Sequence, residues 1–304
     1  LAVPEASKVP EASKVPEASK VTEPSNSALF LRIGIFAFAA ILTLQICALT
    51  LGWTGVVLQA TLSVFAAAAV ANALALRIFE RAAISLIGLA WHHAALRHAG
   101  IGLVGGAASA FAVTLLPALT PLAHYEAAPD HPFDAASLAF IAGAMLFGAI
   151  GEELLFHGYA FQLLLAHFGA FTTLLPVGVL FAAAHSNNLA SSPWSLFNTF
   201  LWGVFLGFCF LRAGDLWLPV GIHYGWNLAL SLAGAEVSGF QMSATGYRLV
   251  WDAPAWVGGG AYGPEGGVLC TVVLLGLVYA IYRAPIDTQV PGLLRQRLSS
   301  YGEE

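Results

Sequence analysis

From residue 28 onward the chain alternates long apolar runs with short polar breaks. Crossing ~30 Å of hydrocarbon takes ~20 apolar residues at a rise of ~1.5 Å each. Runs at 28–50, 56–76, 101–119, 137–161, about 172–187, 195–211, 216–233 and 266–283 predict about eight spans. The fold class expected is therefore all-α, a polytopic transmembrane helical bundle. The intervening segment 77–100 holds Arg77, Arg81, Arg97, His92, His93 and His98. It is too polar to span and reads as a short helix along the interface. Segment 234–265 is rich in Gly and aromatics, and Gly258 to Gly267 reads as a turn-rich entry into the last span.

Charge orders these spans. With eight spans and the N-terminus inside, the inner segments carry Lys8, Lys14, Lys20, Arg32, Arg77, Arg81, Arg97, Arg212, Arg283, Arg295 and Arg297. The outer segments carry only Arg248, and the outer loop 120–136 has Glu126, Asp130 and Asp134 without Lys or Arg. Positive charge gathers on the cytoplasmic side of membrane proteins, so both termini are expected there. Composition agrees: 58% of residues are hydrophobic and 10% charged, against about 25% charged in soluble domains. A net charge of -5, thinly spread, points to no nucleic-acid partner. Cys47, Cys209 and Cys270 lie apart in apolar runs and make neither a disulfide framework nor a metal cluster.

Before the first span, residues 3–20 repeat Val-Pro-Glu-Ala-Ser-Lys and a degraded copy follows. Such copies bury too little apolar surface to offset ordering entropy, so 1–27 reads as a disordered tail. It has no apolar core and is not Arg-rich, so it is read as neither signal nor transit peptide. The division expected is tail, transmembrane domain 28–283 with its chemistry in 137–233, and cytoplasmic tail 284–304. Gly102-x-x-x-Gly106 and Gly203-x-x-x-Gly207 have the spacing for close helix approach, although among 31 glycines the spacing alone carries little weight.

The chemistry centres on Glu152 and Glu153, two adjacent carboxylates within an apolar run. A carboxylate in lipid costs several kcal/mol unless paired or solvated, which marks intramembrane carboxylates as functional candidates. His157 follows Glu153 at i,i+4, His185 follows Phe181 at the same spacing, and Asn227 follows His223, so each pair shares a helix face. A carboxylate, two histidines and an amide suffice for hydrolysis by water: the carboxylate takes a proton, a histidine orients the water, and donors meet the oxyanion. Counted from the predicted span starts, Glu152 and His223 lie at one level. His185 joins them only if the fifth span starts near Pro176, a residue type favoured in a first helical turn.

These three motifs, Glu152-Glu153-x-x-x-His157, Phe181-x-x-x-His185 and His223-x-x-x-Asn227, resemble those of the CAAX-protease and bacteriocin-processing intramembrane proteases. The similarity covers about 137–233; the step to Asn227 and Gly263-Pro-Glu-Gly-Gly267 resemble a bacterial branch. It implies an intramembrane endopeptidase with Glu152 as general base and Glu153 orienting and tuning it. It further implies His185 holding the water, and His223 with Asn227 at the oxyanion. The implied mechanism is metal-free and needs no cofactor; Asn227 is a poor zinc ligand. The partners are the lipid bilayer and a peptide or protein substrate. The family usually has Arg where this chain has His157, which would anchor Glu153 only while protonated.

The plainer readings stand beside this one. Single intramembrane Glu, His or Asn residues often serve as polar glue between helices. His92, His93, His98, His124, His131 and His167 read as solvated or interfacial, and Glu236, Asp252 and Glu265 as surface charges. A catalytically silent immunity or scaffold protein is one alternative. A proton-coupled transporter is another, but it calls for a counterpart of the Glu pair in the first four spans, and none is present. Loss of function in Glu152→Ala separates a protease from a scaffold.

Overall fold

The structure is a computed structural model that describes residues 26–299 except Ser243, with the backbone alone for 296–299. The repeat tail therefore lies outside the described residues up to residue 25, while Asn26 and Ser27 already belong to the first helix. All eight predicted runs fall on helices: α1 Asn26–Thr50, α2 Val56–Ala75, α3 Ala95–Ala118, α4 Ala135–His157 continued by α5 Tyr159–Phe168, α6 Ala170–Ala184, α7 Pro193–Ala213, α8 Trp217–Leu232 and, after a four-residue α9 at Ala255–Gly258, α10 Val268–Arg283. A last helix, α11, covers Gly292–Ser299. Five stretches are long and apolar enough to cross a membrane, with α6 and α10 as shorter apolar helices. Large apolar side chains such as Phe38, Leu49 and Phe171 point outward, as they do where the solvent is lipid. The chain is a multi-pass, all-α membrane protein.

Two small antiparallel sheets interrupt that pattern. β1 (Ala123–Ala127) pairs with β4 (Tyr247–Trp251), with Tyr125 opposite Leu249, and β2 (Glu236–Val237) pairs with β3 (Phe240–Gln241). The outer loop 120–136 and the segment 234–265 are thus partly ordered against each other. The interfacial helix expected within 77–100 is absent. Leu76–Glu80 continues α2 as a π turn, Arg81 stops it in the left-handed region (φ 51), Ile84–Ile87 forms a 3₁₀ turn, and α3 begins at Ala95. This stretch folds inward instead: the Leu216 N–H donates to Gly88 O and the Trp217 indole to Ala90 O.

The connections segregate to two ends. At one end Gln289 N–H bonds Ala213 O, Arg212 reaches Ala284 O and Ile286 O, and Arg97 pairs with Asp287. His167 meets Asn26 at this end, so α1 starts beside the bend between α5 and α6. At the other end Asn188 bonds Ser238 O, and β1 joins β4. Eight spans with even parity require this sorting, and the arginines split with it: Arg248 alone of the described arginines stands at the sheet end.

Helix α3 lies on α8 at glycine contacts. A Cβ on Gly106 would sit 2.1 Å from Ile222 O, and one on Gly225 would sit 2.3 Å from Leu103 O. The Gly102-x-x-x-Gly106 spacing therefore marks a backbone-to-backbone contact, matched by Gly221 and Gly225 across it.

Candidate active site

Helix α4 delivers both carboxylates. Asp134 caps it: the Ser137 hydroxyl and the N–H groups of Ser137 and Ala136 donate to its carboxylate and hold it below the usual carboxylate range. Gly151, beside Glu152, lets α2 approach: a Cβ there would lie 2.7 Å from the Phe65 backbone. The helix breaks at Gly158, where Asn72 of α2 donates to Leu154 O and accepts from Tyr159 N–H. Those are the backbone groups that the break would otherwise orphan.

The expected start of the fifth span near Pro176 is incorrect: α6 begins at Ala170 and Pro176 lies inside it. His185 still reaches Glu152, because α4 and α5 run on to Phe168 and the hairpin bends at Gly169 (φ 81). Glu152 and His185 stand about equally far from that bend, on the order of 25 Å along the helices. The level matches because the descending arm is longer than the hydrophobic pattern alone marked.

At that level the motif residues converge. Glu152 Oε2 lies 3.7 Å from His185 Nε2 and 3.8 Å from His223 Nε2. Glu153, fully buried, places Oε1 2.8 Å from His223 Nδ1 and Oε2 2.8 Å from His157 Nδ1. His185 Nδ1 stands 2.8 Å from Phe181 O, a carbonyl that can only accept, so Nδ1 carries a proton and Nε2 is the nitrogen that faces Glu152. The same logic applies to His223, whose Nδ1–H donates to the Glu153 carboxylate.

His157 differs, because its Nε2 also faces an acceptor, Gly203 O at 3.3 Å. Both ring nitrogens thus stand beside acceptors, and the ring fills the space next to Glu153. Gly207 leaves the room: a Cβ there would come within 3.3 Å of the ring.

Glu152, His185 and His223 open on a cavity of about 490 Å³. Its walls are mostly apolar, with Val57, Val64, Met145, Phe156 and Trp202 among them, and Asn227 stands on the wall beside His223.

Three polar residues escaped the motif reading. Glu265, expected as a surface charge, is 8% exposed and accepts from Trp226 Nε1–H and from Ser238 N–H and Oγ–H. Asn198 is buried and donates to Glu265 O and Gly267 O. His98, expected as solvated, is fully buried, with Nδ1 2.5 Å from Asp215 Oδ2. The signal for Glu265 was present in an acidic residue inside a glycine-rich, otherwise apolar stretch; Asn198 and His98 had none.

Among the described residues, three ligating atoms fall within 4.8 Å of one another at His92, His98 and Asp215. The donor set there fits a metal poorly. Ala94 N–H donates to His92 Nδ1, which leaves the proton on Nε2 facing Asp215, and Asp215 Oδ1 caps α8 through Trp217 N–H and Leu218 N–H. The cluster is a hydrogen-bonded tie between the start of α3 and the α7–α8 turn.

Residues 134–229 match the family model described as type II CAAX prenyl endopeptidase Rce1-like. No curated protein and no solved structure matches the chain. The match spans α4 through most of α8 and contains every motif residue from Glu152 to Asn227. Over this segment the chain is similar to the Rce1-like family of type II CAAX prenyl endopeptidases.

Proposed function

We propose that the protein is an intramembrane endopeptidase that hydrolyses a peptide bond through water activated by Glu152. The observation that carries this reading is the spacing around Glu152 Oε2. Separations of 3.7 and 3.8 Å to the two Nε2 atoms are too long for direct hydrogen bonds and suit one bridging water. Such a water would donate one hydrogen to Glu152 and the other to His185 Nε2, directing its oxygen lone pair toward a carbonyl in the cavity.

The proton balance then follows. Glu152 takes a proton as the water oxygen bonds to the carbonyl carbon. The proton passes to His223 Nε2, and the imidazolium so formed is stabilised by Glu153 at Nδ1. His223 Nε2–H and the Asn227 amide donate to the oxyanion. Collapse breaks the C–N bond as His223 returns its proton to the leaving amine. Glu153, held by His157, acts through His223 rather than on the substrate.

No metal is needed for this sequence. The Nε2 atoms of His185 and His223 are of a type that can ligate zinc. The account expects purified, active protein to hold no stoichiometric zinc; elemental zinc at one per chain, with activity lost on its removal, would reverse that assignment.

The arginine-rich end is assigned to the cytoplasm by the positive-inside rule, which puts the start of α1 and helix α11 on that side, and the bacterial-branch resemblance places the protein in a bacterial inner membrane. The substrate is a peptide or protein at the membrane, of the prenylated C-terminal class or a bacterial peptide awaiting maturation. Comparing new protein termini in cells carrying the native chain and Glu152→Gln tests the reading. Termini present with the native chain and missing with the variant support it; identical termini argue for a scaffold.

A further inference from the structure

We infer that Glu265 is a positioning residue: its carboxylate joins the outer turn over the cavity to the helix that carries His223 and Asn227. The inference rests on the proposed protease reading.

The residue belongs to none of the three motifs and lies outside the matched segment. It sits in the 3₁₀ turn Pro264–Gly266, just before α10, and borders the cavity. Oε1 accepts from the Trp226 indole at 3.0 Å, and Oε2 accepts from Ser238 N–H at 2.5 Å and Ser238 Oγ–H at 2.9 Å. All three partners are donors, so the site suits an acceptor-only group, the ionised carboxylate.

Each partner belongs to a different wall. Trp226 precedes Asn227 on α8 and lies one turn beyond His223. Ser238 sits at the β2–β3 turn in the left-handed region (φ 49), and its neighbours Val237 and Phe240 border the cavity. Ser238 O in turn accepts from Asn188, three residues past His185. The Glu265 backbone is fixed separately: Asn198 Nδ2 holds Glu265 O and Gly267 O, and Thr271 Oγ1–H donates to Asn198 Oδ1. A side chain anchored this firmly behind, with both oxygens engaged, transmits position and does not touch the reacting atoms.

The chemistry of the partners sets the test. In Glu265→Gln the amide keeps one acceptor, so either Trp226 Nε1–H or the Ser238 donors must face an N–H₂ group. Whichever way the amide turns, one end of the tie between the Ser238 turn and the α8 face bearing His223 and Asn227 is lost. Those groups act in the transition state, so kcat should fall about tenfold to a hundredfold. Trp226→Phe removes the donor and should lower kcat in the same way, with KM changed less than kcat.

The experiment measures kcat and KM of reporter cleavage in liposomes for native, Glu265→Gln, Trp226→Phe and the double variant, with thermal unfolding as the fold control. The inference predicts non-additivity: the double variant is no worse than the worse single one, because both remove one contact. Multiplicative losses, or native kcat in either single variant, overturn it. Should Glu265→Gln fail to fold, Trp226→Phe alone decides by the same criterion. Glu152→Gln is run alongside. If native protein cleaves no faster than Glu152→Gln, the protease reading fails; if only the Glu265 and Trp226 variants behave like native, this inference fails alone.

Discussion

Glu153 gives one carboxylate oxygen to His157 and the other to His223, so a single buried anion orders two imidazoles. His157 stands between Glu153 and Gly203 O and so holds the carboxylate that orders His223. The expected result is that His157→Ala lowers activity, while His157→Arg, which keeps N–H donors beside Glu153, retains more of it. Cleavage rates of a reporter in liposomes for the three forms check this; equal rates for native and His157→Ala would remove His157 from the account. At this scale the i,i+4 spacings made the meeting of Glu153 with His157 legible. Asn72 and Asn198 were not legible, because most of their partners are backbone groups far away in sequence that no spacing rule connects; Glu265 stood out as an acidic residue in an apolar stretch, but no spacing rule named its partners.

Among the elements, the α3–α8 contact is the tightest constraint near the site. Gly106→Leu would drive a side chain into the Ile222 carbonyl, and overpacking of this kind costs about 1–3 kcal/mol or more. Unfolding temperature in detergent should fall, and activity with it, since Ile222 precedes His223; an unchanged midpoint would contradict the close packing. The β1–β4 pair offers a second test. Asp252 and Glu126 both accept from the exposed His124, raising its pKa above 6.5, while Arg248 and His124 pull that of Glu126 below 4.5. The histidine contribution is complete below its unfolded value and disappears as pH rises through the raised folded value. The glutamate contribution is present above its unfolded value and disappears as pH falls through the lowered one. Protection of the sheet amides, corrected for intrinsic exchange, should therefore peak between about pH 4.5 and 6.5. His124→Ala should flatten the alkaline side of that peak. Helix positions were legible from hydropathy because each run must fill the bilayer. The sheet was not, because β1 and β4 are short and belong to loops whose pairing depends on which end of the bundle they share.

For the whole molecule, hydropathy and charge together supplied the parity of the spans, and the two-ended sorting of loops is the structural counterpart of that parity. The level of His185 was misjudged because the fourth span was ended at residue 161, whereas the helices run on to Phe168 and α6 begins at Ala170. Hydrophobicity marks membrane thickness, whereas the paired helices run beyond it to a glycine with positive φ. The central claim is that Glu152 activates water at a metal-free site, and the most direct measurement is cleavage of a membrane-embedded reporter by purified protein in liposomes, native against Glu152→Gln, with zinc content determined on the same samples. The account predicts a loss of at least about a hundredfold in kcat for the variant, the range expected for a general base, with unchanged unfolding temperature and no stoichiometric zinc in the active native protein. Equal rates for the two forms, or activity that tracks bound zinc, would contradict it.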